Sequence, residues 1–135
     1  MKSLIVEDDF IGRLLLQELL SPYGKCHIAV NGREAVSAHS IALDAGQPYD
    51  LVCLDIMMPE MGGHEALKEI RALEEVKEID STQVAKIVMI TALSDIKNVS
   101  AAYQRLCDGY VVKPVDKEKL LGLLDELKVL DKRGS

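Results

Sequence analysis

Four apolar runs in this chain end on residues that can do chemistry. Residues 4–6 are followed by Glu7, Asp8 and Asp9, residues 51–54 by Asp55, residues 87–90 by Thr91, and residues 110–112 by Lys113. Phosphoryl transfer to a carboxylate needs a nucleophile, oxygen ligands for a cation and donors for the phosphoryl oxygens, and carboxylates, a hydroxyl and an ammonium group supply them. Two carboxylates ~4 Å apart repel by roughly 4 kcal/mol at an effective dielectric near ~20, so such a cluster needs protons, a lysine or a divalent cation to balance it. With neither His nor Cys among the ligands, the cation indicated is Mg²⁺ rather than zinc. Each feature alone has a plainer reading, because an acidic run after a strand is often a solvated turn or a helix start favoured by the dipole. It is the joint placement at four strand ends that points to a site.

The elements that must hold these residues follow from periodicity. Residues 4–6, 28–30, 51–54, 87–90 and 110–112 are short, apolar and mostly β-branched, as buried parallel strands are. Between them, Ile11, Leu15 and Leu19 recur at four, and Leu67, Ile70 and Leu73 at three; Leu120, Leu123, Leu124, Leu127 and Leu130 mark the last helix. The polar residues 94–105 fall where a fourth helix is expected. Asn31 is placed to cap the second helix, and the Ser21-Pro22-Tyr23-Gly24 stretch closes the first. Strand and helix thus alternate five times. Right-handed crossovers make this an α/β fold, a parallel sheet with helices on both faces and its ligand site beyond the carboxyl ends of the strands. Alternation by itself does not set the strand order.

The 135 residues are enough for one domain. A net charge of −6 disfavours direct nucleic-acid binding and docking on an anionic membrane. Cys26, Cys53 and Cys107 are odd in number and widely spaced, which reads as reduced thiols and not as a disulfide frame or zinc site. No signal-peptide pattern and no long apolar run is present, so a cytoplasmic location is expected. His27, His39 and His64 are scattered and read as surface or core residues.

The segments L-I-V-E-D-D (4–9), D-L-V-C-L-D-I-M-M-P-E-M-G-G (50–63), I-V-M-I-T-A (87–92) and G-Y-V-V-K-P (109–114) resemble the signature segments of response-regulator receiver domains of bacterial two-component systems. The likeness runs from Lys2 to Leu130, and the four segments in this order are far more specific than any one. It implies a five-stranded parallel sheet of flavodoxin-like order 2-1-3-4-5 with five helices. Residues 1–131 would be one receiver domain and 132–135 a short tail, with no room left for an output domain.

The resemblance also implies roles. Asp55 would be the phosphoacceptor, taking the phosphoryl group from a sensor histidine kinase or a phosphotransfer protein. Asp8 would bind Mg²⁺ (with Mn²⁺ as a substitute) directly and Glu7 through water, with Asp55 and the main-chain carbonyl of Met57 completing the ligands. Thr91, Ala92 and Lys113 would hold the phosphoryl oxygens, and the Lys113–Pro114 peptide would be cis. Tyr110 would move inward when Thr91 shifts. Output would be protein contact through the fourth helix, fifth strand and fifth helix, with homodimerisation on phosphorylation as one form of it. The chain would be a phosphoacceptor that catalyses only its own phosphorylation and dephosphorylation. The rival readings are an aspartyl-phosphate Mg²⁺ phosphohydrolase and a non-phosphorylated scaffold. The hydrolase is disfavoured because Met57 stands where it would place a second Asp, and the scaffold because every residue type the chemistry needs is present.

The chain departs from the family pattern in three places. Residues 31–55 and 55–91 are longer, and the charged residues 74–86 are expected to prolong the third helix. Met61-Gly62-Gly63 replaces the commoner Met-Asp-Gly turn, with Gly62 expected to tolerate the same tight backbone. Met57, Met58 and Met61 are expected to pack on or shield the rim around Asp55.

Overall fold

The structure, a computed structural model, describes residues 1–58, 61–92 and 106–130. Strand β1 (Ser3–Val6) leads into α1 (Phe10–Leu20), which closes in a 3₁₀ turn (Ser21–Tyr23) before β2 (Cys26–Ala29). Then come α2 (Gly32–Asp44), β3 (Leu51–Asp55), α3 (Gly63–Val76), β4 (Lys86–Thr91), β5 (Gly109–Val112) and α4 (Lys117–Glu126). All strand pairs are parallel, and the sheet order is β2-β1-β3-β4-β5. Fold class and order are those expected. Residues 94–105, read as a fourth helix, lie outside the described residues, so α4 here is the last helix of the sequence reading.

Because side chains alternate across a strand, each face of the sheet builds its own core. Leu4, Val6, Val52, Leu54, Ile87 and Met89 face Ala35, Ala42, Leu67 and Ile70 of α2 and α3. Ile5, Leu51, Cys53, Val88, Ile90 and Val111 face Leu16, Leu20, Leu120 and Leu124 of α1 and α4. Two expectations are corrected. In α1 the core side chains are Leu16 and Leu20, while Ile11 is 67% exposed and Leu15 is also exposed. With apolar residues at seven of eleven positions of α1, spacing alone could not say which stripe faces the sheet. Strand β2 begins at Cys26, two residues before the apolar run, because an edge strand is paired on one side only and needs no continuous apolar sequence.

The third correction concerns α3, which stops at Val76 instead of running on. Glu78 takes a left-handed φ of 52°, its N–H donates to Glu75 O (3.1 Å), and Ile79 N–H donates to Glu74 O (2.9 Å). This is the pair of bonds of a Schellman C-cap. The ends of α2 and α4 repeat it, with Gly46 (φ 69°) and Lys128 (φ 64°) at the left-handed position. Only α2 carries the glycine that announces such an end, so the stop after Val76 has no sequence signal. Asp80 then accepts from the Thr82 amide and hydroxyl, both at 2.8 Å, turning the chain toward β4.

At the amino ends of β4 and β5 a polar side-chain network takes over from the strand ladder. Arg71 donates to Leu106 O, Ala85 O and Glu74 Oε1 (each 2.8 Å) and to Asp108 Oδ2 (2.9 Å). Asp108 Oδ2 also accepts the Ile87 amide (2.8 Å), and Glu74 Oε2 accepts the Ala85 amide (3.0 Å) and His39 Nε2 (3.1 Å). Since a carboxylate only accepts, His39 carries its proton on Nε2. Burial alone would raise the Glu74 carboxyl, but the bonds from His39, Arg71 and Ala85 outweigh it and hold it below the ordinary range.

Two outcomes follow for urea denaturation. Glu74→Ala strips the half-buried Arg71 of one of its two carboxylates and leaves the buried His39 Nε2 and the Ala85 amide without an acceptor, and should cost about 2–4 kcal/mol. Because the folded carboxyl is depressed, that cost is full above the ordinary value of 4.5 and shrinks as pH falls below it. Glu78→Gly relieves a left-handed side chain and should stabilise by up to about 1 kcal/mol.

Candidate functional site

The parallel register carries four strand ends to one rim. Val6 pairs with Leu54, Asp55 with Ile90, and Thr91 with Val112. Glu7 follows β1, Asp55 ends β3, Thr91 ends β4 and Lys113 follows β5, so the site is assembled by backbone pairing before any side chain interacts. The main chain ties the rim further: Lys113 N–H donates to Thr91 O (2.7 Å), Ile56 N–H to Ile90 O (3.1 Å) and Glu7 N–H to Ala29 O (3.1 Å).

Among the described residues, Glu7, 2% exposed, and the buried Asp55 share one cation, the Lys113 ammonium. Its Nζ lies 3.2 Å from Glu7 Oε1 and 3.1 Å from Asp55 Oδ2. Asp8 is exposed at the mouth, and one oxygen each of Glu7, Asp8 and Asp55 lies within 4.8 Å of the others. Burial, and then the hydrogen bond and charge of Asp55, push the Glu7 carboxyl up to about 8 against the pull of Lys113. Burial would lower Lys113, but its bonds and charge contacts with Asp55 and Glu7 outweigh that and raise it. Glu7 Oε2 is buried without a hydrogen-bond partner. A close, oxygen-only donor set with an orphaned carboxylate oxygen fits a hard divalent cation such as Mg²⁺.

Asp9, adjacent in sequence, does different work. Its Oδ2 accepts the Gly12 amide (2.9 Å) and caps α1. Arg13, which sequence reasoning passed over, donates to Glu7 O (3.1 Å) and Asp8 O (2.9 Å) and so fixes the β1–α1 turn from the first turn of α1. Met57 N–H donates to Asp55 Oδ1 (3.1 Å), and the residue is 66% exposed, outside the buried core. Met58 and Met61 instead pack on the α2–α3 core. Pro59 and Glu60 lie outside the described residues.

The glycine that matters after Asp55 is Gly63. Gly62 is extended (φ −73°, ψ 169°), open to any residue, whereas a Cβ at Gly63 would stand 2.3 Å from Asp55 O. Thr91 is buried, its hydroxyl donating to Ala92 O (3.2 Å). Tyr110 is 43% exposed and lines a cavity of about 610 Å³ with Lys113, Pro114, Lys119 and Leu123. The Lys113–Pro114 peptide is cis. The residues predicted for the acidic cluster therefore converge.

Known proteins share this fold. The family model described as "Response regulator receiver domain" matches residues 3–125. The probable transcriptional regulator ycf29 of Porphyra purpurea is 31% identical over 133 residues, covering 98% of this chain and 58% of its own length, so the chain spans little more than half of that relative. Among solved structures, a CheY-like receiver domain from Methylobacillus flagellatus superposes with a TM-score of 0.76 at 25% identity, covering 94% of this chain and 98% of its own. The CheX–CheY–BeF3–Mg complex of Borrelia burgdorferi gives 0.76 at 27% identity, over 96% and 90%. No helix among the described residues is long and apolar enough to cross a membrane. By family match, strand order and strand-end chemistry together, the chain belongs to the response-regulator receiver domains of two-component signalling.

Proposed function

We propose that Asp55 is the phosphoacceptor of this receiver domain and that Glu7, Asp8, Asp55 and the Met57 carbonyl hold Mg²⁺ beside it. The observation that carries this reading is the buried Asp55 carboxylate, bonded to Lys113 at 3.1 Å and clustered with Glu7 and Asp8. The Borrelia relative solved with BeF3 and Mg supports it by kinship.

An Asp55 oxygen attacks the phosphorus of a phosphohistidine on a sensor kinase or phosphotransfer protein, and the imidazole leaves. Bound Mg²⁺ would offset charge on the transferring oxygens. Lys113 pairs with one phosphoryl oxygen in place of its present bond to Asp55. Thr91, whose hydroxyl among the described residues bonds the Ala92 carbonyl, turns to donate to another, and the Ala92 amide serves a third. The chain thus catalyses only its own phosphorylation and dephosphorylation. The added charge draws Thr91 inward and leaves room for the exposed Tyr110 to follow, which changes the face around β5 and α4 read by an output protein or a second copy. Residues 94–105, assigned to the same face, lie outside the described residues. Residues 1–131 act as one unit in this reading.

With acetyl phosphate and Mg²⁺, the protein should gain one hydroxylamine-labile phosphoryl group by mass spectrometry. Equal labelling of Asp55→Asn would sink the assignment. A second outcome concerns the metal-free state. A carboxyl raised in the folded protein binds its proton more tightly there than in the unfolded chain. Stability from Glu7 is therefore greatest below its ordinary value of 4.5 and is lost as pH rises through about 8. Without metal, the melting temperature should fall between those pH values, and Glu7→Gln should flatten the slope. An identical slope in both proteins would contradict this.

A further inference from the structure

Nothing in the chemistry above assigns a part to Gly12, the third residue of α1. It has no left-handed φ, so its backbone would accept any residue, and a helical glycine costs up to about fivefold in folding equilibrium relative to alanine. The surroundings supply the reason for it. A Cβ built on Gly12 would lie 2.5 Å from Glu7 Oε1 and 3.1 Å from both Glu7 Cγ and Cδ. The Glu7 side chain runs along the α1 backbone through the space a side chain at position 12 would fill. There its Oε1 meets Lys113 at 3.2 Å, and the carboxylate stays within the Asp8–Asp55 cluster. Gly12 and Glu7 also line a cavity of about 180 Å³ with Leu15, Ile90, Lys113 and Pro114, so the carboxylate has space to be displaced into.

We propose that Gly12 is a positioning residue of the acidic site: by lacking a Cβ it lets the Glu7 carboxylate lie under the first turn of α1, in reach of Lys113 and the cation ligands at once. Asp9 and Arg13, on either side of Gly12, fix that turn by the Gly12 amide bond and the bonds to Glu7 O and Asp8 O. The turn cannot back away from an added methyl, so the carboxylate must move. The consequence for the metal rests on the Mg²⁺ reading above; the packing relation between Gly12 and Glu7 does not.

The test is a double-mutant cycle of Gly12→Ala and Glu7→Ala on the full chain, with two readouts. In metal-free thermal unfolding, Gly12→Ala should raise the melting temperature when Glu7 is already alanine, because helix propensity then acts unopposed. With Glu7 present, that gain should vanish or reverse. If Gly12→Ala alone fails to fold, recovery in the double variant makes the same point. Additive effects around the cycle would overturn the proposal. In calorimetric titration with Mg²⁺, Gly12→Ala should weaken binding severalfold with Glu7 present and leave it unchanged in the Glu7→Ala background. Unaltered affinity with Glu7 present, where Glu7→Ala itself weakens binding, also overturns it. If Glu7→Ala does not affect Mg²⁺ at all, the metal assignment of Glu7 is what fails, and the unfolding cycle alone decides the role of Gly12.

Discussion

One ammonium group facing three carboxylates is the constraint on which the acidic rim depends. Lys113 bridges the Glu7 and Asp55 carboxylates, and no other described cation pairs with either carboxylate, Arg13 meeting only the Glu7 main chain. A lone lysine cannot balance Glu7, Asp8 and Asp55 together, and burial of Glu7 and Asp55 keeps water from screening them. In the metal-free protein Glu7 meets the shortfall by holding a proton well above the pH at which a free carboxyl would release it. The charge state of the rim is therefore set by whatever exchangeable species is present, proton or cation.

The parallel sheet explains why so unfavourable a cluster exists. Every strand delivers its carboxyl end to the same side, so residues distant in sequence become neighbours through register alone. The same topology brings helix amino ends to that side, and their partial positive charge favours anions there by about 0.3–1 kcal/mol each. Close approach is needed for this to act, and Gly63 and Gly12 permit it in different ways. At Gly63 the missing Cβ lets α3 start against the Asp55 main chain; at Gly12 it leaves room for the Glu7 side chain itself.

What could be read from the sequence followed from how each feature is encoded. Strand-end chemistry is written in contiguous segments, so Glu7, Asp55, Thr91 and Lys113 could be placed on one rim before any coordinates. Asn31 was legible as a cap for the same reason, since its bond to the Glu34 amide spans three residues. The stop after Val76 was not, because Glu78 adopts a conformation that its residue type does not advertise. Nor was the buried face of α1, where leucines on most sides left the phase to be fixed by packing on the sheet. The network of His39, Arg71, Glu74 and Asp108 was invisible for a third reason: charged residues far apart in sequence look like solvated surface until the fold closes them on one another.

That network gives the two ends of the sheet opposite electrostatic characters. At the amino ends of β4 and β5, Arg71 and Glu74 are permanent charges, and their donors and acceptors are met by other side chains and by Leu106, Ala85 and Asp108. At the carboxyl ends, the Lys113 bonds are shared between two acids, and Glu7 Oε2 has no partner. A change of charge at Asp55 thus finds its compliant neighbours on the rim, in Lys113 and in Thr91, whose hydroxyl among the described residues holds a single 3.2 Å bond, to Ala92 O. Strands β4 and β5 are pinned at one end and electrostatically poised at the other. Displacement of Thr91 or Lys113 is then taken up at the strand ends, while the base of the sheet keeps its register.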